Sequence, residues 1–185
     1  MTTFTNSREM ENTSMMHPAV FDGALGLWYV LHTKSRQEKA LAASLFAMDV
    51  PFVLPMVRKA CYHGRRKVFV NAPLFPGYLF LRGSIDQAYE ADRTKRLANV
   101  IQVADQARID REIHSLHLAI GQEARLDPYP YLKKGIWVEV RSGPFEGMQG
   151  LIEDRVKADR LILQVDVLGQ ATSVEIDSAL LETIE

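Results

Sequence analysis

The sequence predicts an α+β domain over residues 27–124 and a small all-β barrel over residues 135–185. In the first part, short β-prone runs alternate with amphipathic helical stretches. In the second part, short strands follow one another at close spacing, which is typical of a small barrel. Between them, Pro128 and Pro130 favour extended backbone and exclude a helix, so residues 125–134 are the predicted linker.

The predicted first domain begins with the β-prone run LWYVLHT (27–33). Ser35 and Glu38 then have the spacing of a capping box, which predicts the start of a helix with Leu41, Leu45 and Met48 on its buried side. The further elements are strands at 50–57, 66–70, 78–81 and 100–104, a helix from a second capping box at Ser84 and Gln87 to about Leu97, and a helix with Ile109, Ile113, Leu116 and Ile120 on one face.

The predicted barrel contains strands at 136–141, 150–156, 160–167 and 172–176. Turn signals separate these strands, such as Ser142-Gly143-Pro144 and Leu168-Gly169. Alternation of apolar and polar residues along the last two strands predicts a stable β structure.

The N-terminal stretch has the composition of a flexible extension. Residues 1–26 are rich in small and polar residues and lack the basic and apolar regions of a signal peptide. No apolar run approaches the ~18 residues that a membrane-spanning helix needs, so we expect no membrane partner. Cys61 is the sole cysteine, which excludes an intrachain disulfide and fits a reducing, cytoplasmic location.

The net charge of −1 conceals an asymmetry along the chain. Residues 27–134 carry 17 Lys and Arg against 10 Asp and Glu, whereas residues 135–185 carry 4 against 10. Between Val50 and Gly83 there is no acidic residue and there are six basic ones. This pattern indicates one of two things. Either the first domain binds a polyanionic partner, or the opposite charges only keep the two domains soluble or loosely attracted to each other.

The sequence shows no catalytic constellation. His114 and His117 could face one metal ion, but a third ligand with recognisable spacing is missing. Cys61 and His63 lack an orienting third group. Gly143, Gly147 and Gly150 lie in a hairpin context, where glycine serves positive φ or close approach of backbones, and they do not form a phosphate loop. We therefore expect a binding protein without enzymatic activity, cofactor or metal.

Two pairs of segments together resemble a known family. WYVLHTKSRQEKALAASL (28–45) with PLFPGYLF (73–80) resembles the N-terminal (NGN) domain of NusG-type transcription elongation factors. KKGIWVEVRSGPFEGMQGLIE (133–153) with VLGQATSVEID (167–177) resembles their C-terminal KOW domain. HTKSRQEK, YHGRRK, PLFPGYLF and PYPYLKKG are most similar to the specialised RfaH and UpxY type of this family.

The resemblance implies a fold and a set of partners. The NGN domain is an antiparallel sheet flanked by helices, and the KOW domain is a five-stranded, SH3-like barrel. The NGN domain of the family binds the β′ clamp helices of RNA polymerase, bridges to the β lobe, encloses nucleic acid and suppresses pausing. The implied function is processive antitermination, in the specialised branch commonly on long operons such as those for polysaccharide biosynthesis, by a monomer without covalent chemistry.

Residues carried over from the family predict two surfaces on the first domain. The matching pocket for the clamp helices consists of Trp28, His32, Phe75, Pro76, Tyr78 and Phe80. Residues on one strand face are two apart, so Tyr78 and Phe80 share a face while Leu79 and Leu81 share the other. The residues alone leave open whether Trp28 and Phe80 are plain core. The matching contact with non-template DNA consists of Lys34, Arg36, Gln37, Lys39, Ser44, Arg93 and Arg96.

The sequence departs from the family at two places. The β-lobe contact of the RfaH type is a His-Thr-Thr run, and the matching positions here are Tyr89, Glu90 and Ala91, so this contact is either absent or made differently. Leu168 stands where the general factor has an aromatic residue that packs on ribosomal protein S10. S10 is therefore a candidate partner of the KOW domain through Leu168, and binding to the termination factor Rho is not expected.

Two other functions remain open on the sequence alone. The first is that of a general housekeeping NusG factor, which predicts Rho binding and presence at most transcribed genes. The second is that of a ribosome-associated protein that binds RNA through the KOW barrel. The acidic second domain is a poor match to RNA, which disfavours this last alternative.

Overall fold

The structure is a computed structural model that describes residues 14–22, 25–154 and 159–184. It divides into two compact units, residues 1–104 and residues 105–185. No helix in the described ranges is both long enough and apolar enough to cross a membrane.

The first unit contains seven strands and two helices among its described residues. In chain order these are β1 (Met15–Met16), β2 (Leu27–Thr33), α1 (Glu38–Ala47), β3 (Phe52–Leu54), β4 (Met56–His63), β5 (Arg66–Pro73), β6 (Tyr78–Gly83), α2 (Ile85–Asp92) and β7 (Leu97–Gln102). Five strands form an antiparallel sheet in the order β1-β3-β6-β2-β7, and β4 and β5 form a separate two-stranded hairpin. The PLFPGYLF strand, β6, therefore lies at the centre of the sheet.

The core of the first unit lies between one face of this sheet and the two helices. Leu31 and Tyr29 of β2 and Leu79 and Leu81 of β6 pack there with apolar residues of α1 and α2. The predicted alternation is confirmed, because Leu79 and Leu81 belong to this cluster whereas Phe80 points to the opposite face. Burying these side chains is the main favourable contribution to the fold of the unit.

The two predicted capping boxes have different outcomes. The box at Ser35 and Glu38 is wrong: α1 begins at Glu38, and its N-cap residue, Gln37, makes no side-chain capping hydrogen bond. The carboxylate of Glu38 instead accepts a hydrogen bond from the backbone N–H of Gly77, at 2.7 Å. Met48 was predicted to be buried, but it lies beyond the end of α1 and is exposed.

The capping box at Ser84 is confirmed. The Ser84 hydroxyl accepts from the Gln87 backbone N–H at 3.2 Å, and the Gln87 side-chain oxygen Oε1 accepts from the Ser84 backbone N–H at 2.8 Å. A Cβ at Gly83 would lie 2.2 Å from that Gln87 oxygen, so the box requires glycine there. The helix ends at Asp92, earlier than the predicted Leu97, because Lys95 turns the chain with φ +58° into β7.

Replacing Ser84 by alanine is expected to destabilise the first unit by about 1 kcal/mol, because it leaves an N-terminal N–H of α2 without its acceptor. Urea unfolding of the wild type and the Ser84→Ala variant measures this loss. The matched control is Ser35→Ala. Because Ser35 makes no cap in this structure, a loss at Ser35 equal to that at Ser84 would contradict the assignment.

The second unit contains one long helix and six strands among its described residues. These are α3 (Gln106–Gly121), β8 (Asp127–Tyr129), β9 (Ile136–Val140), β10 (Gln149–Ile152), β11 (Arg160–Val165), β12 (Gln170–Glu175) and β13 (Leu181–Thr183). The strands form an antiparallel sheet in the order β13-β9-β10-β11-β12-β8. The predicted fold class is confirmed: an α+β first part with a helix-flanked antiparallel sheet, and a small β second part.

Three features of the organisation differ from the sequence-based expectation. The predicted linker contains β8, which is extended, as its prolines require, but pairs with β12. The helix α3, which we predicted within residues 27–124, packs on β10 and β11 of the second unit. Within the predicted N-terminal extension, residues 15–16 pair with β3 and Val20 is fully buried, while residues 1–13 lie outside the described residues. The boundaries at 124 and 134 stay a prediction.

Close approach of two strands explains the glycine at position 150. A Cβ on Gly150 would lie 2.7 Å from the carbonyl oxygen of Ile162 on β11. Gly143 and Gly147 adopt φ values of +90° and +82° in the preceding turn. The interpretation of these three glycines as backbone positions in a hairpin is confirmed.

Candidate functional site

The Pro-Gly pair of PLFPGYLF forms a tight turn before β6. The Tyr78 N–H donates to the Phe75 carbonyl at 3.1 Å, and Gly77 has a φ of +85°. Proline at the second position and a positive-φ glycine at the third are the features of a type II turn. The Gly77 carbonyl accepts from Thr33 at 2.8 Å, and its N–H donates to Glu38, so the turn is held by both β2 and α1.

This turn positions an aromatic pair at one end of the two inner strands β2 and β6, on the sheet face opposite to the helices. His32 and Tyr78 are directly opposite each other on β2 and β6. Their rings are stacked, with centroids 4.9 Å apart and planes inclined by 19°. Both side chains are half-buried, and the neighbouring Pro76 is exposed. The sequence-predicted set thus includes one compact group of ring systems that solvent reaches.

The other three predicted pocket residues are buried in this structure. Trp28, Phe75 and Phe80 have exposed fractions of 2%, 3% and 0%. Phe75 packs edge to face against Phe80, with ring centroids 6.3 Å apart. The ring centroids of Phe21 and Trp28 are 6.4 Å apart. We left open whether Trp28 and Phe80 are core residues, and here they have the burial of core residues. Phe75, which we expected at the surface, is buried as well.

The predicted basic residues come together where the β2–α1 turn meets the loop between α2 and β7. The backbone N–H of Lys34 donates to the Arg96 carbonyl, and its ammonium group donates to the Lys95 carbonyl, both at 2.8 Å. Arg96 in turn donates to the Gln37 side-chain oxygen at 2.6 Å. Segments about 60 residues apart in sequence are thereby joined by three hydrogen bonds, which fixes the relative positions of their cations.

We call this surface the basic patch, defined by Lys34, Arg36, Gln37, Lys39, Arg93, Lys95 and Arg96. Arg36, Arg93 and Lys95 are exposed, and Arg36 and Lys95 adopt φ values of +61° and +58°. Left-handed backbone at residues other than glycine is uncommon and costs about 1 kcal/mol or more. The patch therefore retains two strained residues, both cationic, which is a pattern found at functional surfaces.

Three of the predicted DNA-contacting side chains form hydrogen bonds within the protein. The Ser44 hydroxyl donates to the Ala40 carbonyl of its own helix at 3.0 Å. Gln37 accepts from Arg96, as described above, so its amide N–H₂ group remains the part able to donate outward. Lys39 donates to the Asn71 carbonyl at the base of the β4–β5 hairpin, at 2.8 Å.

The remaining predicted contacts lie on other elements. Tyr89 and Glu90 are exposed on α2, whereas Ala91 is fully buried in the core, so the three positions do not form one continuous contact surface. Leu168 is half-buried in the turn Asp166–Leu168 between β11 and β12, and Gly169 follows with φ +60°. Leu168 thus occupies a hairpin tip.

Glu38 is the positioning residue that the sequence reading missed. Its carboxylate is nearly buried and accepts from Gly77, 39 residues further along the chain. The sequence offered a different explanation for this glutamate, a capping box, and only the approach of β6 to α1 in three dimensions reveals its partner.

Ionisable groups in the described residues do not cluster as metal ligands. No group of three or more His, Cys, Asp or Glu side chains within 14–22, 25–154 and 159–184 is arranged to hold a metal ion. Burial, and to a smaller extent the nearby His114, lower the pKa of His117. In this part of the chain no third His, Cys, Asp or Glu side chain joins His114 and His117 in a group that could hold a metal ion.

Comparison with known proteins finds similarity to proteins named NusG. The family model described as "Transcription termination factor nusG" matches residues 26–115. A "Transcription termination/antitermination protein NusG" of Deinococcus radiodurans is 26% identical over 182 residues, covering 81% of this chain and 95% of that protein. The protein of the same name from Rickettsia typhi is 25% identical over 169 residues, covering 81% of this chain and 86% of that protein.

A solved structure also matches along most of its length. The structure described as "Domain interaction in Thermotoga maritima NusG" is 23% identical, with a TM-score of 0.40, and the match covers 86% of this chain and 97% of that chain. The matched family model and both curated relatives carry the name NusG.

Proposed function

From the NusG family that these comparisons support, we propose that the chain is a NusG-like transcription termination/antitermination factor. The observation that carries the proposal is the family match over residues 26–115, which includes β2, the turn before β6 and the basic patch. The protein acts by binding, and its effect on transcription comes from contacts with the elongation complex. Such contacts need accessible aromatic and cationic groups, and the first unit carries both.

The aromatic pair His32 and Tyr78, with Pro76 beside it, is the proposed contact with the β′ clamp helices of RNA polymerase. Two stacked rings at the end of two inner strands offer a rigid aromatic surface, and aromatic groups often dominate the energy of interfaces. Trp28, Phe75 and Phe80 support this surface from within, because they are buried. We expect them to contribute to binding through the shape of the sheet.

The basic patch is the proposed contact with the non-template DNA strand of the transcription bubble. Its exposed cations Arg36, Arg93 and Lys95 can neutralise phosphates without regard to sequence. Arg36 and Lys95 have a positive φ, Lys95 accepts a hydrogen bond from the Lys34 ammonium group, and both residues are exposed. The Gln37 amide N–H₂ group can donate to a base, whereas the Ser44 hydroxyl donates to its own helix and can only accept from one.

The finer role is that of a specialised, operon-specific processive antiterminator. The segments YHGRRK and PYPYLKKG support it through their similarity to the specialised branch. The alternative is a general housekeeping factor, which the curated relatives favour because they carry the general name NusG. Mapping of chromosomal occupancy separates the two, since a specialised factor is confined to a few operons.

The second unit is the proposed recruiter of a further partner, with ribosomal protein S10 as the candidate. Leu168 at the hairpin tip offers an apolar group in place of the aromatic residue of the general factor. A smaller side chain buries less area, so we expect weaker binding than an aromatic residue gives.

The test of the proposed function is retrieval of purified, nucleic-acid-free RNA polymerase by the immobilised full chain. We expect the wild type to retrieve polymerase and the Tyr78→Ala variant to bind it about ten-fold or more weakly, because the variant removes half of the stacked pair. The matched control is Tyr62→Ala, since Tyr62 is an exposed tyrosine on the β4–β5 hairpin, away from the turn.

Two outcomes would contradict the proposal in different ways. Equal retrieval by the wild type and by Tyr78→Ala means that the aromatic pair is not the contact. If circular dichroism shows that the wild type is folded but it does not retrieve polymerase, the proposed NusG-like function itself is wrong.

A further inference from the structure

The hairpin formed by β4 and β5 has no role in the surfaces described so far. Its strands pair with each other over eight positions, from Met56 opposite Pro73 to His63 opposite Arg66. Neither strand is hydrogen-bonded into the five-stranded sheet. Gly64, with φ +62°, and Arg65 form the two-residue connection. At about 3.3 Å per residue, the hairpin is roughly 25 Å long.

One face of this hairpin alternates aromatic and cationic side chains. Residues that are opposite each other share a face, and successive pairs alternate between faces. Arg58 opposite Asn71, Ala60 opposite Phe69, and Tyr62 opposite Lys67 therefore lie on one side. We call this side the ribbon face and define it by Arg58, Tyr62, Lys67 and Phe69.

The aromatic groups of the ribbon face are exposed to an extent that folding does not explain. Tyr62 is 70% exposed and Phe69 is 53% exposed. A two-stranded hairpin has no second layer against which to bury such rings, and isolated hairpins are marginally stable. Two large aromatic side chains kept in solvent on a long hairpin indicate a surface that a ligand covers.

The charges of the ribbon face specify the chemistry of that ligand. No acidic residue occurs between Val50 and Gly83, so no carboxylate of this segment neutralises its cations. The Arg58 guanidinium lies 4.4 Å from the centroid of the Phe69 ring, and the Lys67 ammonium lies 5.3 Å from it. A cation beside an aromatic ring matches a ligand that carries an anion and a flat base in each repeating unit.

The ribbon face is also connected to the basic patch. Lys39 of the patch donates to the Asn71 carbonyl at the base of the hairpin, and Asn71 is opposite Arg58, the first cation of the ribbon face. A single-stranded nucleic acid bound along the basic patch as far as Lys39 would therefore reach the ribbon face next. This continuity selects the ligand, because the patch is the proposed contact with single-stranded DNA.

We propose that the ribbon face binds single-stranded DNA as an extension of the basic patch, with bases stacked on Tyr62 and Phe69 and phosphates on Arg58 and Lys67. The inference rests on the proposed nucleic-acid contact and lengthens it by the hairpin. Single-stranded DNA is favoured over a duplex because its bases are free to stack on protein rings, whereas duplex bases already stack on each other.

The experiment is fluorescence anisotropy of the full chain with a labelled single strand of mixed sequence, roughly 20 nucleotides long, so that it exceeds the hairpin. We expect the double variant Tyr62→Ala with Phe69→Ala to bind about ten-fold or more weakly. We expect Arg58→Gln with Lys67→Gln to weaken binding and to reduce the slope of log affinity against log salt by about 1.4, or about 0.7 for each phosphate contact.

The matched control is Tyr89→Ala, an exposed tyrosine on α2 outside the ribbon face, and we expect it to bind like the wild type. Unchanged affinity of both double variants overturns the inference, and so does tighter binding of blunt duplex DNA or of single-stranded RNA of the same sequence. Circular dichroism and retrieval of nucleic-acid-free polymerase are measured for the two ribbon-face double variants, and we expect neither to change.

The outcomes separate this inference from the proposed function. If Lys34→Gln with Arg36→Gln weakens DNA binding and the ribbon variants do not, the ribbon inference fails and the proposed DNA contact of the patch stands. If the wild type retrieves polymerase but does not bind single-stranded DNA, both DNA contacts fail and the polymerase contact stands.

Discussion

Replacing Phe80 by alanine is expected to lower the free energy of unfolding of the first unit by about 3–5 kcal/mol. Phe80 is fully buried on the central strand β6, opposite Val30 of β2 and Val53 of β3, and it meets Phe75 edge to face. Truncation removes the buried ring and leaves a cavity that a sheet paired on both sides of β6 cannot readily close.

Fluorescence of Trp28 measures this loss specifically. The chain has two tryptophans, so a Trp137→Phe background leaves Trp28 as the sole tryptophan, in the first unit. Urea unfolding is compared for Phe80→Ala and for the exposed Tyr62→Ala, which we expect to change stability by less than about 0.5 kcal/mol. A loss below 1 kcal/mol at Phe80 would show that this residue is not part of the packed interior.

The second large effect is a dependence of stability on pH through Glu112. Glu112 of α3 is 5% exposed and accepts hydrogen bonds from the Asp166 backbone N–H at 3.2 and 3.3 Å. Arg108 lies 3.0 Å from both the Glu112 and the Asp166 carboxylates. Burial raises the pKa of Glu112 to about 7, although the hydrogen bond from Asp166 and the charge of Arg108 act in the opposite direction.

The sign of the effect follows from this raised pKa. The folded state holds the Glu112 proton more tightly than the unfolded state, whose pKa is 4.5. The contribution of Glu112 to stability is therefore greatest at low pH and is lost as the pH rises from about 4.5 to about 7, by on the order of 3 kcal/mol in total. His117 works in the opposite direction, because its lowered pKa favours the folded state as the pH rises.

The Glu112→Gln variant isolates the contribution of this carboxyl group. Glutamine keeps an acceptor for the Asp166 N–H and removes the ionisation, whereas the His117 contribution stays the same in both proteins. Unfolding is followed by Trp137 fluorescence in a Trp28→Phe background, at pH values from 5 to 8. We expect wild-type stability to fall across this range relative to that of the variant. Parallel pH profiles of the two proteins would contradict the assigned pKa.

Local sequence signals predicted those parts of the fold that depend on neighbouring residues. The strand at Leu27–Thr33 has the predicted limits, and the Ser84 capping box forms as its spacing required. The type II geometry of Pro76 and Gly77 is likewise a local property, because proline fixes φ and glycine tolerates a positive φ. Each of these signals acts over a few residues, and in these three cases the local geometry formed as predicted.

Predictions were wrong or incomplete where the outcome depends on residues that are distant in the sequence. The capping box at Ser35 failed because the Glu38 carboxylate accepts a hydrogen bond from Gly77, in the turn before β6. Pro128 predicted extended backbone correctly but did not indicate that β8 would find β12 as its partner. The apolar stripe of α3 predicted a helix, yet a stripe does not specify which sheet it packs on, and here that sheet includes β10 and β11.

The sequence by itself determined the order of most elements, the two faces of β6 and the gathering of cations in the first part of the chain. The tertiary structure decided which aromatic side chains are covered and which cations are neighbours. Phe75 and Tyr78 stand three residues apart, but one is buried and the other is reached by solvent. The physical reason is that burial and long-range hydrogen bonds depend on several segments packed against one another. A single segment determines only whether its side chains are apolar or able to form hydrogen bonds.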